Sequence, residues 1–163
     1  MRIIDVGCGP GIYVKALRDA GFDADGIDIE PNPYTRLDIF SDKFTQLYSY
    51  REYDLVICIE VAEHIPESHS KELVSRLTHL SDTILFSAAV PGQGGDGHIN
   101  LHPKDYWIDL YSQQNYYQDV DATNKFVSFM MQGYHMGWLT NNAIIFKSYG
   151  KLNFNGIVKY ETP

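Results

Sequence analysis

Short hydrophobic runs alternate along this chain with stretches whose apolar residues recur every three or four positions. Runs of the first kind read as strands and stretches of the second kind as helices. Residues 2–6 form a brief strand. Ile12, Ala16, Leu17 and Ala20 then fall at helical spacing, and Gly21 supplies a stop. Residues 25–29 make a strand that ends in acids and closes on the turn Pro31-Asn32-Pro33. Residues 36–40 look like another brief strand. Residues 53–59 are the clearest strand, nearly all apolar, as expected where both faces are covered. The stripe Leu73, Val74, Leu77 and Leu80 predicts a helix over 67–80. Residues 83–90 read as a buried strand, and 91–97 as a glycine-rich loop. Pro103 suits the first turn of a helix through Tyr106, Trp107, Leu110 and Tyr111. A weaker helical pattern covers 123–133, residues 143–146 are a strand, and 150–163 read as an edge strand or tail.

Strands alternating with helices predict an α/β fold, a parallel sheet with helices on both faces. Ligands of such sheets bind beyond the carboxyl ends of the strands, where strand order reverses. Asp5, Gly7, Asp28, Asp38 and Glu60 all fall at or just after predicted strand ends. They would therefore line one rim.

The composition narrows the ligand. With 163 residues, 44% of them hydrophobic and 21% charged, the chain suits one globular domain. Its formal charge of −8 argues against a groove for nucleic acid or for an anionic membrane surface, both of which draw on Lys and Arg. No stretch approaches the ~20 apolar residues of a membrane span. The N-terminus carries no signal-type segment. The two cysteines, Cys8 in the glycine turn and Cys58 in an apolar run, do not form a disulfide framework. A cytoplasmic setting is expected.

The glycines Gly7, Gly9 and Gly11 open a helix directly after a strand, a backbone cradle for a polar or anionic ligand. The dinucleotide fingerprint needs its third glycine where this chain has Ile12, and no Lys-Ser or Lys-Thr follows as in a phosphate loop. The pattern Asp5-x-Gly7-x-Gly9-x-Gly11 resembles instead the first motif of class I S-adenosylmethionine-dependent methyltransferases, of the type 11/12-like kind. That resemblance implies a Rossmann-like, doubly wound, mostly parallel seven-stranded sheet, with residues 1–163 forming a single domain. It implies cofactor contacts at Asp5, Gly7, Cys8, Gly9, Gly11, Asp28, Ile29, Asp38 and Glu60. Asp5 would meet the amino group of the methionine part, Asp28 the ribose hydroxyls and Asp38 the adenine amino group.

The segment from Glu60 through Glu63-His64-Ile65 resembles the E-x-x-E-H-I/V stretch shared by ubiquinone-biosynthesis O-methyltransferases and small-RNA 2′-O-methyltransferases. In that subgroup such residues hold a divalent cation, which implies a set of Glu60, Glu63, His64 and His98. Two carboxylates with imidazole suit Mg, Mn or a similar ion. The same segment also occurs in methyltransferases with no metal, and there Glu63, His64 or His98 would act in catalysis, a His as general base. Alternatively, these residues merely shape the pocket.

His98-x-Asn100, Pro103-x-x-Tyr106-Trp107-Ile108, Trp138 and residues 142–146 are similar to a group of small bacterial and viral methyltransferases of largely unassigned substrate. Asn100, Tyr106, Trp107 and His135 are candidates for the acceptor pocket, although aromatics at helical spacing are more often core. Family members carry a cap helix before the first strand, whereas here Met1 abuts it. The expected lid would come from a second subunit, another partner or a mobile loop. The leading expectation is methyl transfer to an oxygen or nitrogen of a small-molecule, sugar or natural-product acceptor. The rivals are an RNA 2′-O-methyltransferase-like enzyme and a non-catalytic S-adenosylmethionine-binding module.

Overall fold

A computed structural model describes residues 1–30, 32–35, 38–133 and 136–150. In chain order these form β1 (Arg2–Val6), α1 (Ile12–Asp19), β2 (Asp23–Ile27), α2 (Phe44–Leu47), β3 (Leu55–Ile59), α3 (Ser70–Leu80) and β4 (Thr83–Ser87). There follow α4 (Lys104–Ser112), β5 (Tyr116–Gln118), α5 (Val120–Gly133), α6 (Gly137–Asn142) and β6 (Ile144–Ser148). Two short 3₁₀ turns, Ala62–His64 and Glu67–His69, lie between β3 and α3.

The six strands make one sheet in the order β2-β1-β3-β4-β6-β5. The first four are parallel. β6 runs antiparallel to both β4 and β5. Strand order reverses between β1 and β3, so the crevice for a ligand opens beyond their carboxyl ends.

Alternation along the central strands divides the core. Val56 and Cys58 of β3 and Ile84 and Phe86 of β4 point toward α3 and α4, where the main cluster includes Leu73, Leu77, Trp107 and Tyr111. Ile57, Ile59 and Leu85 point to the other face. There α1 and α5 stand apart, and between them an apolar trench of about 290 Å³ runs past Tyr13, Leu17, Phe126 and Met130. At the opposite end of the sheet from the crevice, buried Asp25 accepts a hydrogen bond from the Tyr53 hydroxyl (2.9 Å) and lies 3.6 Å from both Arg2 and Arg18. This network ties β1, β2 and α1 in register.

Several sequence expectations change. Among the described residues there are six strands, and residues 38–40 form a turn. Thr35 makes only an isolated bridge with Gly26. The helix expected from residue 67 begins at Ser70, because the first residues take a 3₁₀ turn. Pro103 precedes the first turn of α4 as its cap. On α1 only Val14 is fully buried, and Ile12 is 69% exposed, because one helix on a sheet edge buries a narrow stripe. Gly21 does end α1, in a left-handed conformation. β5 and α6 had no sequence signal. The tail from residue 151 and His135 lie outside the described residues.

Candidate cofactor and acceptor site

The turn after β1 is held by backbone bonds before any side chain acts. The N–H groups of Gly7 and Cys8 both donate to the Ile27 carbonyl, at 2.8 and 3.1 Å. Gly7, Gly9 and Gly11 all have left-handed φ, at 78°, 51° and 81°. Their surroundings differ. A Cβ on Gly7 would fall 2.3 Å from Val61, and one on Gly11 would fall 2.2 Å from the Tyr34 ring. A Cβ on Gly9 would meet nothing within 4 Å. The first and third glycines are therefore needed for close packing, and the second for its conformation and open approach.

Asp5 and Asp28 flank this turn, and Asp38 lies in a later one. Asp5, 2% exposed, has one carboxylate oxygen without a partner among the described residues. Burial raises its pKa to about 7, and the charge of Asp28 adds to the rise. Asp28 follows β2 and accepts from the Gly9 N–H (2.7 Å) and the Glu30 N–H (3.0 Å). Beyond it, Ile29 is 75% exposed. Asp38 lies in the next turn and accepts from the Phe40 N–H at 2.9 Å. Cys8 is buried behind the turn, and burial raises its thiol pKa.

The segment after β3 makes the other side. Glu60 has a left-handed backbone, with φ of 53°. One carboxylate oxygen accepts from the Ser87 hydroxyl (2.9 Å) and the Asn142 amide (3.3 Å), and the other from Gln93 (3.0 Å). Gln93 also accepts from Asn142 at 2.8 Å. Glu63 is fully buried, and both its oxygens lack partners among the described residues. Burial, reinforced by the charge of Glu60, raises its pKa to about 7.

Glu63, His64 and His98 come together, each offering an atom within 4.8 Å of the others. The His64 Nδ1 lies 3.2 Å from the Gly97 carbonyl. That contact assigns the proton to Nδ1 and leaves Nε2 as the free lone pair. His98 has a buried Nδ1 with no partner among the described residues. The expected four-residue set is thus brought together as three, with the Glu60 carboxylate engaged by Ser87, Gln93 and Asn142.

The sequence-predicted acceptor residues separate. Asn100 is 2% exposed and donates to the Ala62 carbonyl (3.1 Å) and the Ser70 hydroxyl (3.0 Å). The N–H groups of Ile99 and Asn100 donate to the Glu63 carbonyl, at 2.9 and 3.1 Å. Asn100 therefore anchors the His98 loop and does not line a pocket. Trp107 is core, 2% exposed, and Tyr106 stacks on His102 at 3.8 Å. Sequence reasoning missed Gln93 and Asn142. Gln93 lies in the glycine-rich loop 91–97 and Asn142 at the start of the 142–146 stretch, and neither stands at a spacing that marks it as a site residue.

Comparison with known proteins agrees with this geometry. A family model described as a methyltransferase domain matches residues 1–124. A ubiquinone biosynthesis O-methyltransferase of Methylococcus capsulatus is 25% identical over 96% of this chain and 68% of its own length. One from Colwellia psychrerythraea is 27% identical over 88% of this chain and 61% of its own. The chain thus spans about two thirds of the length of these relatives. Among solved structures, a SAM-dependent methyltransferase from Archaeoglobus fulgidus shares the fold with a TM-score of 0.58 and 15% identity, over 90% of this chain and 86% of that one.

Proposed function

Because this chain belongs to the methyltransferase domain family and uses S-adenosylmethionine, we propose that it methylates an oxygen or nitrogen of a small-molecule, sugar or natural-product acceptor. The observation that carries this reading is the meeting of Glu63, His64 and His98 beyond the carboxyl end of β3. A hydroxyl acceptor must lose a proton as the new bond forms, and a protonated amine must lose one before it can attack; this trio offers groups to accept that proton.

The residues of the turn fit the cofactor. Asp5 presents a buried carboxylate oxygen without a partner, suited to the cofactor's amino group. Asp28, in the turn after β2, offers a carboxylate suited to ribose hydroxyls, and exposed Ile29 offers an apolar surface to a purine. Open space above Gly9 admits close approach to the backbone. When bound, S-adenosylmethionine supplies a sulfonium methyl, whose carbon–sulfur bonding pair leaves on sulfur as the acceptor's lone pair attacks. His64 takes the acceptor's proton at Nε2, and the Gly97 carbonyl steadies the imidazolium through Nδ1–H. Glu63 adds a carboxylate beside it.

A second reading of the same trio rests on its unpartnered atoms. Both Glu63 oxygens and the His98 Nδ1 lack partners among the described residues, as expected of ligands to a divalent cation. Glu63, His64 and His98 would then hold the ion, which would lower the acceptor hydroxyl's pKa. The O-methyltransferase names of the relatives make hydroxyl acceptors the first to try. The test is transfer of labelled methyl groups to a panel of phenols, sugars, amines and short RNA, with and without chelator. Cofactor binding without transfer to any of them would contradict the enzyme reading and favour a binding module.

A further inference from the structure

We infer that Asn32 is a positioning residue for the cofactor, acting through Gly9. The two peptide groups of Gly9 are both held by side chains from the loop after β2. Its N–H donates to Asp28 at 2.7 Å, and its carbonyl accepts from the Asn32 amide at 2.5 Å. Asn32 is itself fixed. Its side-chain oxygen accepts from the N–H groups of Tyr34 (2.8 Å) and Thr35 (3.1 Å). Its own N–H donates to the Thr35 hydroxyl at 2.8 Å. The Tyr34 carbonyl in turn accepts from the Gly26 N–H within β2, at 3.2 Å. A continuous path of hydrogen bonds thus runs from the sheet through Asn32 to the middle of the glycine turn.

The turn needs such a hold. Gly9 has no side chain to pack, and its surroundings are open. Glycine also loses more freedom on ordering than any other residue. A loop ordered before the ligand arrives spares the ligand that cost. Asn32 supplies the order while touching the turn from behind. The Asp28 to Gly9 bond gives it a second reach, because the acid assigned to the ribose is fastened to the same peptide. This inference rests on the glycine turn being the cofactor cradle.

The test uses S-adenosylhomocysteine as the probe, titrated calorimetrically into the wild type, Asn32→Asp and Asn32→Ala. Asn32→Asp keeps the oxygen that organises residues 34 and 35 but turns a second oxygen toward the Gly9 carbonyl. Its dissociation constant should rise about tenfold or more, with the melting temperature of the unliganded protein within about 2 °C of wild type. Hydrogen exchange should quicken in residues 7–11 and stay unchanged in α3 and β4, a local signature that a general loss of stability would not give. Asn32→Ala should weaken binding at least as much. If it fails to fold, Asn32→Asp carries the test. Wild-type affinity and exchange in Asn32→Asp would overturn the inference while leaving the cradle intact. Failure of the wild type to bind the probe would overturn the cradle reading and the inference with it.

Discussion

The imidazoles of His64 and His98 meet edge to face, their centroids 5.0 Å apart, although one follows β3 and the other lies in the loop after β4. Asn100 holds the two segments together from beneath. Replacing His64 with Ala should reduce methyl transfer by about 10²–10⁴-fold while leaving cofactor affinity near wild type. Labelled-methyl turnover and calorimetric titration of S-adenosylhomocysteine check the two halves of this expectation separately.

The cation reading makes its own demand. Manganese should bind with a stoichiometry of about one, and binding should disappear in Glu63→Gln and His98→Ala. Glu60→Gln should keep it, because the Glu60 carboxylate is engaged by Ser87, Gln93 and Asn142. Calorimetry or electron paramagnetic resonance reads the outcome, and absence of binding in the wild type removes the ion from the mechanism.

Asp5 links pH to both stability and binding. Its folded pKa of about 7 lies above the usual value of 3.8, so the native state holds a proton that the unfolded state releases between these values. Its contribution to stability is full below about pH 4 and is lost as pH rises through 7. Asp5→Asn should flatten that part of the stability–pH curve and stabilise the unliganded protein at pH 8 by roughly 1–3 kcal/mol. It should also weaken cofactor binding. If ionised Asp5 receives the cofactor's ammonium, binding at pH 6 releases up to one proton, measurable by calorimetry in buffers of different ionisation enthalpy.

The three glycines of the turn should separate by substitution. Gly7→Ala and Gly11→Ala drive a Cβ into Val61 or Tyr34 at a left-handed φ, at a cost of roughly 2–4 kcal/mol. Gly9→Ala meets no neighbour and should cost only about 1 kcal/mol. Its cofactor affinity should nevertheless fall at least tenfold, because the added methyl occupies the approach to the backbone. Chemical denaturation and ligand titration of the three variants distinguish packing from recognition.

The central strands β3 and β4 were legible in the sequence because they are covered on both faces and written as apolar runs, residues 55–59 above all, whereas β2 carries two acids and a glycine. The turn after β1 was legible because glycines at alternate positions suit the left-handed backbone that Gly7, Gly9 and Gly11 adopt. Short β5 and six-residue α6 lack the length for a period to emerge. Residues 36–40 showed an alternation that suggested a strand, yet 38–40 turn, with the Asp38 side chain accepting from the backbone two residues on. In the site, Glu63, His64 and His98 became candidates through the resemblance of the segment after residue 59, and the fold brings the three within reach of one another. Gln93, Asn142 and Asn32 were not candidates. Amides acting on a distant carboxylate or carbonyl leave no spacing rule in the chain, and only the fold brings them to their partners.

The bond between Asn142 and Glu60 spans 82 positions. The glycine turn draws on nearer residues, from the loop after β2 and from Val61. Asn142 reaches Glu60 only where β6 lies between β4 and β5. A change that loosens the C-terminal strand therefore reaches the Glu60 carboxylate from the far end of the chain, while the backbone bonds that shape the glycine turn stay as they are.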